Sequence, residues 1–182
     1  MGGIFALKVC VYAICKNESQ FVDRFMDSMS EADYVCVLDT GSSDDTVKKL
    51  RARGAIVGET VVSPWRFDTA RNESLGLIPA DADICCAIDL DEQFHPGWRA
   101  ALERAWQPDT TRARYRYTWS FRPDGSEGMV FWADKIHKNG CYRWASPVHE
   151  TLAYTGEGAE RFVDAAGVQL DHHPDEKKSR GQ

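Results

Sequence analysis

The 182-residue sequence has no CxxC pair, no internal repeat and no low-complexity tract. No apolar run approaches the ~18 residues that span a bilayer. Positive charge is also in short supply: 22 Lys and Arg stand against 28 Asp and Glu, for a net charge of −6. These absences count against a zinc site and a disulfide framework, and against a helical membrane span. They also remove any general attraction to nucleic acid or anionic lipid, so a nucleic-acid partner would need a local basic patch. The N-terminus, Met1-Gly2-Gly3-Ile4, has neither the basic region nor the apolar stretch of a secretory signal. Ala6 stands where a myristoylation signal carries Ser or Thr. The six cysteines, Cys10, Cys15, Cys36, Cys85, Cys86 and Cys141, lie mostly inside apolar runs. They read as reduced core residues, which makes the cytoplasm the expected compartment.

What is present fits one globular domain over residues 1–182, with 43% hydrophobic and 27% charged residues. Residues 7–14 read as a strand, followed by a polar turn and a helix over about 18–30 from the spacing of Phe21, Phe25 and Met29. A second strand at 34–38 stops at the polar run Asp39 to Thr46. A helix over 44–53 follows, with Ser43 or Asp44 as N-cap and Gly54 just past its end. The pattern continues with a strand at 55–62, a helix at 67–78 closed by Pro79, and a strand at 84–88 that stops at Asp89-Leu90-Asp91-Glu92. A helix over 96–106 then takes Pro96 into its first turn. Repeated strand–helix alternation predicts a mostly parallel α/β sheet with helices on its faces. Ligands of such sheets bind beyond the carboxyl ends of the strands. The polar clusters at 16–18, 39–45 and 89–92 are therefore expected on one rim.

After residue 108 the pattern changes. From Arg112 to Arg122 the chain alternates, with Arg112, Arg114, Arg116 and Arg122 on one face and Tyr115, Tyr117, Trp119 and Phe121 on the other. The turn Pro123-Asp124-Gly125 leads to a second extended run at 129–136, so an antiparallel hairpin is expected. Residues 171–182 read as a polar tail, with the opening of a helix at 175–180.

Each candidate for chemistry has a plain structural alternative. The carboxylates of Asp89 and Asp91 can leave a strand end together and meet a hard divalent ion, or simply cap the next helix. The run Asp39 to Thr46 suits a solvated turn with a cap. Arg71 can pair with Asp68 one turn earlier or reach a phosphate with its planar fork. His149 and Glu150 follow a turn at Pro147, and a histidine there is as well suited to a satisfied core position. His172 and His173 sit on a polar segment where adjacent histidines often do nothing.

Taken in order, Ile14-Cys15-Lys16-Asn17-Glu18, Asp39 to Thr46, Phe67-Asp68-Thr69-Ala70-Arg71-Asn72, Asp89-Leu90-Asp91-Glu92, Val148-His149-Glu150 and His172-His173-Pro174 resemble the family 2 glycosyltransferases with a GT-A fold, of the bacterial and phage type. The resemblance runs from about Lys8 to Arg180. It implies a three-layer α/β sandwich with a mostly parallel sheet and a small antiparallel part. Residues 1–108 would bind the nucleotide sugar, 109–170 would face the acceptor, and 171–182 would begin a C-terminal segment. It further implies that Asn17, Glu18, Asp39, Gly41, Ser42, Arg71 and Asp89 hold the donor. Glu18 and Asp39 would serve its base and ribose, and Arg71 its uracil or diphosphate. Asp91 would ligate Mn²⁺ or Mg²⁺ with His172, or in second place His149. Glu150 would be the base that deprotonates the acceptor hydroxyl, with Asp134 in reserve. Two departures stand out. Ala145-Ser146-Pro147 replaces a glycine usual before the Val-His-Glu block, and relatives continue beyond the position of Lys177-Lys178-Ser179-Arg180 into further helices.

The expected activity is thus metal-dependent, inverting transfer of a sugar from a nucleoside diphosphate, a UDP-sugar, to an acceptor hydroxyl. The alternative is a GT-A-like module that binds a nucleotide or a partner without turnover, against which the presence of Asp91 and Glu150 argues. A nucleotidyltransferase would need a Gly-rich basic loop after the first strand, where this chain has Cys15-Lys16-Asn17-Glu18-Ser19. For the acceptor, the stripe Arg112, Arg114, Arg116 and Arg122 is either a solvated strand face or a contact for an anionic group. A saccharide, a lipid-linked glycan, a peptide or a modified DNA base all remain open, with net charge counting against nucleic acid.

Overall fold

The computed structural model describes residues 7–175. Residues 1–6 and 176–182, and with them nearly all of the helix expected at 175–180, lie outside the described residues. Strand β1 (Val9–Cys15) is buried along its whole length, as a central strand covered on both faces should be. It pairs in parallel with β2 (Tyr34–Asp39) on one side and with β4 (Ile84–Ala87) on the other. Beyond β2 lies β3 (Ile56–Glu59), also parallel. Helices α1 (Val22–Ser28), α2 (Thr46–Ala52) and α3 (Phe67–Leu75) connect this half and bury Phe25, Leu50 and Ala70 against it. The short β5 (Glu92–Phe94) and helix α4 (Trp98–Ala105) follow.

The expected hairpin forms: β6 (Arg112–Thr118) and β7 (Val130–Lys138) pair antiparallel, and β7 joins β4 antiparallel. Tyr142–Ala145 (β8) and Thr151–Tyr154 (β9) make a separate two-stranded sheet. The last strand, β10 (Phe162–His172), inserts between β6 and β5. The main sheet has eight strands in the order β3-β2-β1-β4-β7-β6-β10-β5.

Several expectations need correction. Residues 171 and 172 belong to β10, paired with β5 and β6, and not to a polar tail. Helix α4 starts at Trp98, two residues later than expected. Gly97 is its N-cap in a left-handed conformation (φ +84°), so Pro96 precedes the helix. The N-cap of α2 is Asp45, without a side-chain cap bond, while Asp44 accepts the Thr46 N–H at 3.0 Å. The cysteines behave as expected: all six are free, with five buried and Cys141 half-buried. Among the described residues, no helix is long and apolar enough to cross a membrane.

Candidate active site

The carboxyl ends of β1, β2 and β4 open onto a cleft of about 630 Å³ lined by Lys16, Asn17, Glu18, Arg71, Asp89 and Asp91, among others. At its back, Asp39 ends β2 buried and receives the backbone N–H groups of Gly41 and Ser42 at 2.9 and 2.8 Å, with the Ser42 hydroxyl also donating to it. That tight turn needs Gly41 at φ +107°. Asn17, itself left-handed at φ 53°, locks this loop to the first one. Its N–H donates to Ser42 Oγ and its Oδ1 accepts from Ser43 N–H, each at 2.7 Å. The Glu18 N–H donates to Thr46 Oγ1 at 2.8 Å. Asp39, Gly41 and Ser42 therefore build the loop behind the cleft, whose surface they present through Thr40, Asn17 and Glu18.

Arg71 is the electrostatic hub. Its side chain is 4% exposed; Nη2 donates to Asp89 at 2.7 Å and Nε to Glu150 at 3.2 Å. The expected pairing with Asp68 is not made, because α3 turns Arg71 toward the strand ends while Asp68 binds Arg66 at 2.7 Å. Burial works against the Arg71 charge, but Asp89 and Glu150 outweigh it and hold the guanidinium more firmly protonated than usual. Burial likewise opposes the Asp89 charge. Arg71, Lys135 and His172 together overcome it and keep that carboxyl below its ordinary range. The third nitrogen of Arg71, Nη1, is buried without a hydrogen-bond partner. A buried unpaired donor costs about 1–3 kcal/mol, so Nη1 is available to donate to an oxygen from outside the chain, a water or a ligand.

The turn after β4 is held by Glu92, which accepts the Asp89 N–H at 2.8 Å and the Tyr117 hydroxyl at 2.6 Å. Burial, then the neighbouring Asp89 charge, raise the Glu92 carboxyl above its usual range. Register does the rest. Strand β10 sets His172 opposite Glu92, and the His173 N–H donates to the Asp91 carbonyl at 2.8 Å. His172 Nε2 then lies 3.2 Å from Asp91 Oδ2, while its Nδ1 lies 3.1 Å from the Trp119 carbonyl. With Nδ1–H committed to that carbonyl, a neutral ring presents its Nε2 lone pair to a carboxylate. Only a proton or a cation makes that contact attractive. Histidines that bind metals characteristically donate their other N–H in this way. Burial lowers the affinity of His172 for a proton and Asp91 more than restores it, so the ring is held above its ordinary value.

A second cleft of about 390 Å³ shares Asp89 and Asp91 with the first and adds Tyr117, Trp119, Phe131, Lys135, His149 and Glu150. His149, left-handed at φ 57°, lies exposed on its wall, and it is His172 that the structure brings to Asp91. Asp134 points to the opposite face of β7 from Lys135 and pairs with Arg112 at 3.1 Å, so it is no reserve base. The arginine stripe is not a free basic surface. Arg112 is buried between Asp134 and Glu160, Arg114 binds Asp164 at 2.8 Å, and Arg116 pairs with Glu127.

Lys135, Glu92 and the exposed pair Trp65 and Phe67 on the wall of the first cleft are site residues that sequence reasoning passed over. Strict alternation along β7 would have separated Lys135 from Asp134. Among the described residues, no three His, Cys, Asp or Glu side chains converge as a metal cage. A two-ligand site built from Asp91 and His172 suits an ion whose remaining positions are filled by phosphate oxygens and water.

No protein-family model matches the chain. Solved structures do resemble it. Glucosyl-3-phosphoglycerate synthase from Mycobacterium tuberculosis, in complex with Mn²⁺, UDP and glucosyl-3-phosphoglycerate, is 26% identical with a TM-score of 0.51; the match covers 62% of this chain and 44% of that one. The same enzyme with Mg²⁺ and UDP matches at 26% identity over the same shares, with a TM-score of 0.50. A mycobacterial protein matches in fold at 22% identity and a TM-score of 0.52, over 63% of this chain and 42% of that one. The chain thus spans less than half the length of these structures. Its largely parallel curled sheet with a small antiparallel one is the GT-A architecture of glycosyltransferases.

Proposed function

We propose that the chain carries a glycosyltransferase site of the family 2 kind, using a UDP-sugar and a divalent cation in a reducing compartment. The observation that carries this reading is the meeting of Asp91 and His172, two ligand atoms 3.2 Å apart with the imidazole orientation fixed from behind. Asp91 and His172 would hold Mn²⁺ or Mg²⁺, which supplies charge neutralisation at the departing diphosphate. The synthase from M. tuberculosis was solved with these ions and UDP, which supports the same donor here. Arg71 Nη1 supplies a buried donor for a phosphate or uracil oxygen. Trp65 and Phe67 offer aromatic faces to the base, while Asn17, Glu18 and the loop built on Asp39, Gly41 and Ser42 shape the nucleoside end. Glu150 faces the second cleft and takes the proton of the acceptor hydroxyl as its oxygen bonds to the anomeric carbon. The anomeric bond to the phosphate oxygen breaks with its electron pair leaving on UDP, and the configuration inverts.

Calorimetric titration of UDP with and without Mn²⁺ tests the donor site. Metal-dependent binding that vanishes in Asp91→Asn is the expected result; equal binding without metal, or by the variant, refutes it. The binding-module alternative is tested separately by Glu150→Gln, which retains the acceptor for Arg71 Nε. If the natural chain turns over UDP-sugar no faster than this variant, the site binds without catalysing.

A further inference from the structure

Resting on the donor reading above, we propose that the acceptor is a neutral saccharide that stacks on the aromatic wall of the second cleft. Tyr117 forms the middle of that wall, edge-on to Phe131 at 5.1 Å and to Trp119 at 6.0 Å between ring centroids. Phe131 and Trp119 are large apolar side chains left 42% and 41% exposed. Both line the same cavity as Glu150, beside the Asp91 and His172 contact. Trp119 is backed by the His172 ring, stacked at 4.4 Å, so the aromatic wall is fixed relative to the metal ligands. A pyranose presents a face of weakly positive C–H groups, which complements the negative face of an aromatic ring.

Charge decides against an anionic acceptor. Asp89, Asp91, Glu92 and Glu150 face Lys135 and, behind them, Arg71. Four carboxylates against two permanent cations leave the wall negative, and a divalent ion on Asp91 is offset by the donor diphosphate it neutralises, so the balance holds with the donor bound. Lys135 lies on this wall in the field of the Asp89 and Glu92 charges, and the arginines of β6 are each paired on their own. Arg24 lies in the neighbouring recess beyond the His172 ring, not in this cleft. A phosphorylated acid, such as the phosphoglyceric acid bound to the synthase of M. tuberculosis, would meet repulsion here.

The test is saturation-transfer NMR on the full chain with UDP and Mg²⁺ present. Methyl glucoside, maltose and lactose serve as neutral probes; 3-phosphoglycerate and glucuronate serve as anionic ones. Transfer from aromatic protons to at least one neutral probe is expected, with weaker binding of both anions. Phe131→Ala should weaken the neutral probe about fivefold, the loss of roughly 1 kcal/mol of ring contact, and Phe131→Trp should restore it. The Kd for UDP should change less than about twofold in both variants, since Phe131 lies outside the donor cleft. An anion that binds better than every neutral probe overturns the proposal, as does failure of all neutral probes or an unchanged affinity in Phe131→Ala. If UDP itself fails to bind the natural chain, the donor reading falls instead, and the acceptor proposal with it.

Discussion

Arg71→Met separates what the central guanidinium does for the fold from what it does for a ligand. In the folded chain Arg71 makes two charge-assisted hydrogen bonds, each worth about 1.5–3 kcal/mol when fully desolvated. The Asp89 side chain is 34% exposed and the Glu150 side chain 15%, so the first bond is discounted more than the second. Their joint contribution comes to about 3 kcal/mol. The substitution also deletes Nη1, whose lack of a partner costs the native state about 1 kcal/mol at the low end of the range for a buried donor. The net destabilisation is about 2 kcal/mol, or roughly 4–8 °C in Tm for a domain of this size. The sign with pH follows from Asp89. A carboxyl held below its unfolded value contributes stability above the unfolded pKa and loses it as pH falls through the folded one, so the variant should show a weaker acid limb. Ligand affinity behaves differently. If Nη1 donates to an anionic oxygen of UDP, its loss removes about 1.5–3 kcal/mol of binding, a Kd weaker by about 10- to 100-fold. Urea unfolding and calorimetry on the same preparation read the two quantities. A folded variant that binds UDP within about twofold of the natural chain would refute the assignment of Nη1 to the ligand.

Saturating UDP and Mn²⁺ at about 100 times Kd should stabilise the chain by about 2.7 kcal/mol, roughly 5–11 °C in Tm, and EDTA should reverse the metal-dependent part; no shift in a thermal melt would count against the donor site. His137 is buried against the Tyr12 hydroxyl at 2.8 Å, and burial pushes its pKa down to about 4. It is neutral in the fold and protonates more readily when unfolded, so stability should fall by about 3 kcal/mol as pH drops from about 6.5 to 4; urea midpoints across that window, with an NMR titration of the ring, check it. Arg114→Ser and Arg116→Ser remove arginines already paired within the chain, so acceptor turnover should be unchanged; a large rise in acceptor KM would restore a role for the stripe.

The half of the fold that holds the first cleft was legible because its strands are apolar runs broken by polar turns. Burial on both faces of β1 and β4 writes itself into the sequence as Val9 to Cys15 and Ile84 to Ala87. The hairpin was legible from alternation, because β6 has one face toward the core and one toward its acidic partners. Strand β10 was not, and the cause is physical. A register shift between Asp164 and Gln169 breaks the alternation, and Gly167 interrupts the run where α4 packs closely. A Cβ there would sit 3.0 Å from that of Ala101. The same blind spot hid the partners of Arg71. Local helical spacing points to Asp68, whereas Asp89 and Glu150 lie 18 and 79 residues away and reach it only through the sheet and the loop that follows β8.

The four acids of the site are held in different ways, and the difference divides their roles. Glu92 is buried, raised in pKa and bound to a tyrosine hydroxyl and a backbone N–H, so it serves the shape of the turn. Asp89 and Glu150 share a guanidinium that never gives up its proton, a compensation that a metal does not displace. Asp91 faces an imidazole, which binds a proton or a cation according to conditions. Of the acids at the junction of the two clefts, Asp91 is therefore the one whose compensating charge is exchangeable. On the proposed reading, exchange of a His172 proton for a divalent ion would leave the Asp89, Arg71 and Glu150 chain intact, and the candidate base and the nucleotide-side donor would stay fixed relative to each other. A site with the opposite arrangement, a lysine or arginine on Asp91, would be more stable when empty and poorer at binding a metal.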